Sequence, residues 1–150
     1  MRLLLIDVGS SAVKAGVWQA GRLRSVARRP VPTRTVGVTV EIPGETLVKI
    51  VEQAIREVLD RTHSSENIDG VVFATFSPGV VISDGGGRVR AGCITHQDRR
   101  SSAEAAEIEQ RIGPKRHLRL AGNRPFPGGI GTTSLLWFKR HHPENFGKNY

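Results

Sequence analysis

Asp7, Gly9, Ser10, Ser11 and Lys14 crowd together near the start of a 150-residue chain. An apolar run, Leu3 to Ile6, ends in the aspartate; a small-residue turn follows, then the lysine. Those residue types suit a phosphate. Glycine lets the backbone turn sharply and lets another group approach it. Serine hydroxyls and backbone N–H groups supply donors, and lysine supplies positive charge. A carboxylate at a strand end can face a hydrated Mg²⁺. Without a ligand the same residues are a buried strand, a tight turn and one solvated lysine, and spacing alone leaves both readings open.

A second polar group lies further on, at Ser77, His96, Asp98 and Arg100. Asp98, followed by Arg99 and Arg100, can accept hydrogen bonds from a polyol or lock a loop by pairing with Arg100. His96 can bond a hydroxyl or serve as an ordinary structural histidine. His141 and His142 are adjacent and cannot face one metal from a helix. The single cysteine, Cys93, excludes an internal disulfide and a multi-cysteine zinc site, and reads as a small core residue.

The elements that must hold these groups follow from periodicity. Leu3 to Asp7 is short, unbroken and aliphatic, as in a buried strand. Val13–Trp18 and Leu23–Ala27 read as second and third strands around a Gln19–Arg22 turn, giving an antiparallel meander. Arg28 to Arg34, with Pro30 and Pro32, reads as an irregular link, and Val36, Val38 and Val40 as a short edge strand. Leu47, Val48, Ile50, Val51, Ala54, Ile55, Val58 and Leu59 recur at helical spacing, predicting a helix that Pro43-Gly44-Glu45 opens and that ends near Thr62 or His63. Val71–Phe76 is expected to be a buried strand and Gly79–Ser83 another, with a turn at Asp84-Gly85-Gly86-Gly87-Arg88. Ser101-x-x-Glu104 is a capping box for a second helix, which Gly113-Pro114 stops. Lys115–Gly129 reads as loop. Leu135–Phe138 predicts a third helix, and Pro143-Glu144 the start of another.

Asp7-x-Gly9-Ser10-x-x-x-Lys14 resembles the first phosphate loop of the actin-like ATPases, and most of all that of the FGGY family of carbohydrate kinases. Two further blocks are similar to that family, in its order. One runs from Ile68 through Asp84-Gly85 to Gln97-Asp98-Arg99-Arg100, close to the glycerol kinase version. The other is Leu135-Leu136-Trp137-Phe138 followed by Pro143-Glu144. The resemblance implies an α/β, ribonuclease H-like (actin-like ATPase) domain, a mixed sheet flanked by helices, covering residues 1–150 as an incomplete N-terminal part. It implies ATP and Mg²⁺ as cofactors, with Asp7 holding the metal through water, Ser10 bonding a phosphate oxygen and Lys14 facing the terminal phosphate. It implies a small sugar or polyol as substrate, with Ser77, His96, Asp98 and Arg100 as candidate contacts. The family's catalytic aspartate and its second, adenosine-binding domain lie beyond the matched region. Negligible activity is therefore expected of this chain alone.

The chain departs from the family in three places. Ala74-Thr75-Phe76-Ser77-Pro78-Gly79 stands where the xylulokinase branch has Ser-Gly-Gln-Met-His-Gly. His96 replaces a tryptophan, and Ser134 replaces a lysine. Polyol recognition rests on directed donors and acceptors, and the side chains of Phe76 and Pro78 offer none. A kinase-like protein that binds a sugar or a partner without catalysis is therefore the alternative.

Composition narrows the remaining classes. The net charge is +8, unevenly spread: +6 over residues 1–40, −4 over 41–80 and +6 over 81–150. A basic surface attracts phosphates and nucleic acids, and a nucleic-acid module would show a steep salt dependence of binding. The arginines are scattered, however, and aromatics make up only 5% of the chain, so a solvated arginine-rich face is the preferred reading. A metal-dependent nuclease needs several converging carboxylates, and only Asp7 is placed for that. No apolar run approaches the length of a membrane span, and the start carries no leader-like cleavage site. A cytoplasmic protein without a membrane partner is expected, with a homodimer left open.

Overall fold

The computed structural model describes residues 1–62 and 67–146. Its chain divides into two compact units, residues 1–33 with 45–76 and residues 34–44 with 77–150.

The first unit is a mixed four-stranded sheet in the order β3-β2-β1-β6, with one long helix. Strands β1 (Arg2–Val8), β2 (Ala12–Gln19) and β3 (Arg22–Pro30) form the expected antiparallel meander. Ala20 and Gly21, at φ 48° and 78°, make the two-residue turn whose twist matches the flanking strands. β3 runs into the predicted link as far as Pro30: Ala12 faces Pro30 and Val13 faces Arg29 in register. Pro30 is tolerated because it is the strand's last residue, at the sheet edge, where a missing N–H breaks no ladder.

One sheet face carries Leu4, Ile6 and Val8 opposite Val17, Ala15 and Val13, all buried. Helix α1 (Gly44–Arg61) belongs to this unit from Glu45 onward and buries the stripe Ile50, Ala54 and Val58. The spacing i, i+4, i+8 sets these on one side of the helix, and burying Ile50 and Val58 contributes about 1.5–3 kcal/mol each. Arg29–Glu57 and Arg61–Glu57 ion pairs, and a bond from Arg61 to the Val26 carbonyl at 3.1 Å, fix the helix on β3. The predicted helix end at Thr62 or His63 is met at Arg61–Thr62; His63 lies outside the described residues.

β6 (Gly70–Thr75) pairs in parallel with β1, Asp7 beside Ala74 and Val8 beside Thr75. The sequence predicts this strand to be buried, and it is not: Val71, Val72 and Phe73 are 53%, 49% and 58% exposed. β6 is the outermost strand of its sheet, so its apolar residues have β1 on one side only.

The second unit holds a three-stranded antiparallel sheet, β4-β5-β7. Arg34–Val36 (β4) and Thr39–Ile42 (β5) form a hairpin in place of the single edge strand expected, turning at Gly37. β7 (Cys93–Ile94), missed in the sequence, pairs with β5. The strand expected at Gly79–Ser83 is reduced to single bridges, Val80 with Ile94 and Ser83 with Val89. Two residues lie between the bridges on one segment (81–82) and four on the other (90–93), so the register slips and no ladder forms.

Helices α2 (Ser102–Ile112), α3 (Pro114–Ala121) and α4 (Gly131–His141) follow, and a 3-10 turn spans Pro143–Asn145. The capping box does not form: Ser101 makes no capping bond, and its hydroxyl lies 3.5 Å from that of Thr133 on α4. Glu104 is drawn toward Arg140 of α4 instead. Part of the predicted loop after Lys115 is α3, because Pro114 suits the first helical position, where its missing N–H costs nothing. Ile82, Ile94 and Phe138 centre the unit's apolar core.

Candidate functional site

Strand pairing brings Asp7 and Lys14 together. They are direct cross-strand partners in the β1–β2 ladder, so their side chains leave the same face. The Lys14 ammonium donates to Asp7 Oδ2 at 3.0 Å. Both side chains remain half exposed, at 48% for Asp7 and 52% for Lys14. Beyond them the chain reverses through Gly9, Ser10 and Ser11, where the Gly9 N–H donates to the Ala12 carbonyl at 3.0 Å. A Cβ on Gly9 would sit 2.7 Å from that oxygen, so only glycine fits the turn. Ser11 is exposed and Ser10 partly so. Beside the pair, on the same face, lies an apolar hollow of about 270 Å³ lined by Leu5, Leu23, Val26, Val72 and Ala74.

An open ion pair of this kind has little structural value; exposed pairs contribute about 0–1 kcal/mol. Its two charges flank a loop of small residues with free hydroxyls. Such an arrangement can receive an anion on the lysine side and a hydrated cation on the aspartate side.

The second group divides. Ser77 and His96 are exposed. Asp98 is fully buried, and both its oxygens are engaged. Oδ2 accepts from the Val40 N–H at 2.7 Å and from Arg100 Nε at 2.9 Å; Oδ1 accepts from the Arg100 N–H at 2.9 Å and from Nε at 3.0 Å. The Arg100 guanidinium, 8% exposed, also pairs with Glu41 at 2.8 Å and lies 5.1 Å over the Trp137 ring. Burial pulls the Arg100 pKa down, but the bonds it donates to Asp98 and Glu41 outweigh that and hold the group above its ordinary value. Asp98 and Arg100 therefore form the structural pair that the sequence weighed against sugar contact, and they bind the β4–β5 hairpin to the segment after β7. Arg99 supports the same segment, donating to the carbonyls of His96 at 2.8 Å and Asp98 at 2.9 Å.

Sequence reasoning missed Glu41 and Trp137 as partners of Arg100. Nothing local marks them, since they stand 59 and 37 positions away from it. Cys93 is buried and its thiol is pushed up by that burial, as expected for a core cysteine. Among the described residues no cluster of three metal-ligating side chains forms, and no helix is long and apolar enough to cross a membrane.

Residues 2–149 match the model of the FGGY family of carbohydrate kinases, N-terminal domain. The xylulose kinase of Bacillus subtilis is 27% identical over 146 residues, 95% of this chain but 29% of its own length. The solved xylulose kinase of Rhodospirillum rubrum superposes with a TM-score of 0.88 at 23% identity, covering 98% of this chain and 30% of the other. The glycerol kinase of Plasmodium falciparum, solved with ADP, superposes at 0.82 with 15% identity, covering 96% and 29%. These likenesses establish the α/β, actin-like fold expected from the sequence. The chain spans less than a third of the length of these relatives.

Proposed function

The chain belongs to the FGGY family of carbohydrate kinases, and from that premise we propose that it is the N-terminal portion of an ATP-dependent sugar or polyol kinase. One observation carries the reading: the half-exposed Asp7–Lys14 pair beside the open Gly9–Ser11 turn. In this reading Lys14 and Ser10 receive the phosphates of ATP, with Ser11 and the loop N–H groups as further donors. Asp7 holds Mg²⁺ through water.

The residues present fit magnesium. That ion keeps several waters and takes one or two carboxylates together with substrate phosphates, so a lone accessible aspartate suffices. When bound, it neutralises charge on the transferring phosphoryl group. The chain's own residues position the phosphates and offset their charge. Ser77 and His96 are the sugar-facing candidates, and Asp98 with Arg100 holds the segment that presents His96.

The bare edge and faces of β6 support the view that further chain completes the domain. A parallel strand is ordinarily covered on both faces, whereas Val71, Val72 and Phe73 stand exposed. The adenosine pocket and the general base would lie in that further chain.

A coupled assay on the full-length protein with ATP, Mg²⁺ and a panel of D-xylulose, D-gluconate and glycerol tests the proposal. At least one sugar is expected to be phosphorylated, and Asp7→Asn or Lys14→Ala to lower kcat/KM on the order of 10²-fold. Ser77-Pro78 in place of a polar sugar loop favours a second reading, binding without turnover. Calorimetric sugar binding without phosphorylation would establish it, and neither binding nor turnover would refute both.

A further inference from the structure

We infer that Gly128 and Gly129 are positioning residues for the sugar site, setting the spacing between the Ser77–Gly79 loop and the His96–Asp98 segment. The inference rests on the kinase reading above. Both glycines are buried and adopt consecutive left-handed conformations, at φ 92° and 83°. A side chain in that conformation is strained wherever it sits.

Contact is what gives them a role. A Cβ on Gly128 would lie 2.4 Å from the His96 carbonyl oxygen and 3.0 Å from that of Asp98. A Cβ on Gly129 would lie 3.0 Å from the carbonyl oxygens of Pro78 and Ile94 and 3.1 Å from the Gly79 Cα. The two backbone units therefore fill the seam between the segments that carry Ser77 and His96. Any larger residue must wedge those segments apart.

The diglycine is itself held at both ends. The buried Thr133 hydroxyl donates to the Phe126 carbonyl at 2.9 Å and the Ile130 carbonyl at 3.2 Å, closing the 126–130 loop. On the other side the Arg99 guanidinium lies 5.0 Å over the Phe126 ring while it donates to the carbonyls of His96 and Asp98. The Gly128 backbone thus lies close to the same two carbonyls that Arg99 bonds, and Phe126 packs against that arginine. Its ring is half exposed, and little of the core depends on it.

Two variants separate positioning from folding. Gly128→Ala tests the wedge directly. Phe126→Ala removes the cation–π contact without altering any glycine, and leaves folding intact. In the full-length kinase both are expected to raise the sugar KM about tenfold with the ATP KM unchanged within about twofold, because displacement at a reacting site is felt by the ligand it orients. In the full-length protein, amide NMR of Phe126→Ala is expected to shift Ser77, Gly79 and His96 together. Equal rises in both KM values, or shifts confined to residues 126–130, would overturn the inference. The NMR arm decides it even if the wild-type enzyme phosphorylates no sugar, an outcome that would defeat the kinase reading alone.

Discussion

Asp98→Asn decides between the two roles that the sequence left open for this residue. The carboxylate is fully buried and is bonded by the Val40 N–H, the Arg100 N–H and Arg100 Nε. The amide keeps the shape but loses the charge, and turns a donor toward a guanidinium that is 8% exposed. Breaking a buried pair by neutralising one partner costs about 3–5 kcal/mol, and the isosteric change belongs at the lower end. Glu41 still compensates part of the Arg100 charge, which also points to the lower figure. For a chain of this length about 0.3 kcal/mol per degree separates the two sides of the transition. A loss of about 3 kcal/mol therefore lowers the melting temperature by roughly 10 °C. Differential scanning calorimetry on the isolated chain measures it, with the sugar KM of the full-length enzyme as the companion value. A shift below about 3 °C, accompanied by a sugar KM raised tenfold or more, would refute the structural assignment and make Asp98 a ligand contact.

Lys14→Ala should leave the melting temperature within about 2 °C, since the pair it breaks is half exposed, while nucleotide affinity in the full-length protein, read by calorimetry, falls at least tenfold. Cys93 should resist a thiol reagent such as DTNB in the native chain and react with one equivalent in guanidinium, because burial raises its pKa and shields the sulfur. Acid should destabilise the fold through Glu107, whose carboxyl is held below its ordinary value of 4.5 chiefly by the Arg140 hydrogen bond. The unfolded chain binds that proton first, so the stabilisation is complete above about pH 4.5 and disappears as the pH falls through the lower folded value. Glu107→Gln should accordingly flatten the melting temperature profile below about pH 4.5, and an unchanged profile would remove Glu107 from the account.

The opening strands and their turn were legible because each signal is local. An apolar run, a two-residue turn and a second run specify the β1–β2 hairpin by themselves, and the hairpin's register alone makes Asp7 and Lys14 partners. The long helix was legible for the same reason, through its 3.6-residue stripe. What escaped was decided by distant partners. Ser101 and Glu104 carry the pattern of a capping box, yet α4 claims both side chains, so a tertiary contact overrides a local motif. Proline misled at Pro30, which the sheet edge tolerates; Gly113-Pro114 does stop α2, but a new helix begins on Pro114 and takes up part of the stretch that reads as loop from its proline and glycine content. β6 reads as buried because its composition is that of a buried strand. Only its place at the end of the strand order leaves it bare.

Asp7 and Asp98 show why residue type could not rank the site residues. Each is an aspartate with a basic partner nearby in sequence, and each makes an ion pair of about 3 Å. They differ in what remains unspent. A carboxylate offers roughly four acceptor positions; at Asp98 both oxygens are taken by backbone and guanidinium donors, and water is excluded. At Asp7 half of the side chain faces solvent, and its partner is a flexible lysine that can swing to an arriving anion without exposing a buried charge. Rearranging the first pair would leave Arg100 buried and less well compensated, whereas rearranging the second costs no more than an exposed ion pair is worth, about 0–1 kcal/mol. Ligand chemistry belongs where bonds can be exchanged cheaply, and on that ground the β1–β2 end of the sheet, not the arginine-locked segment after β7, is where a phosphate and its metal would be received.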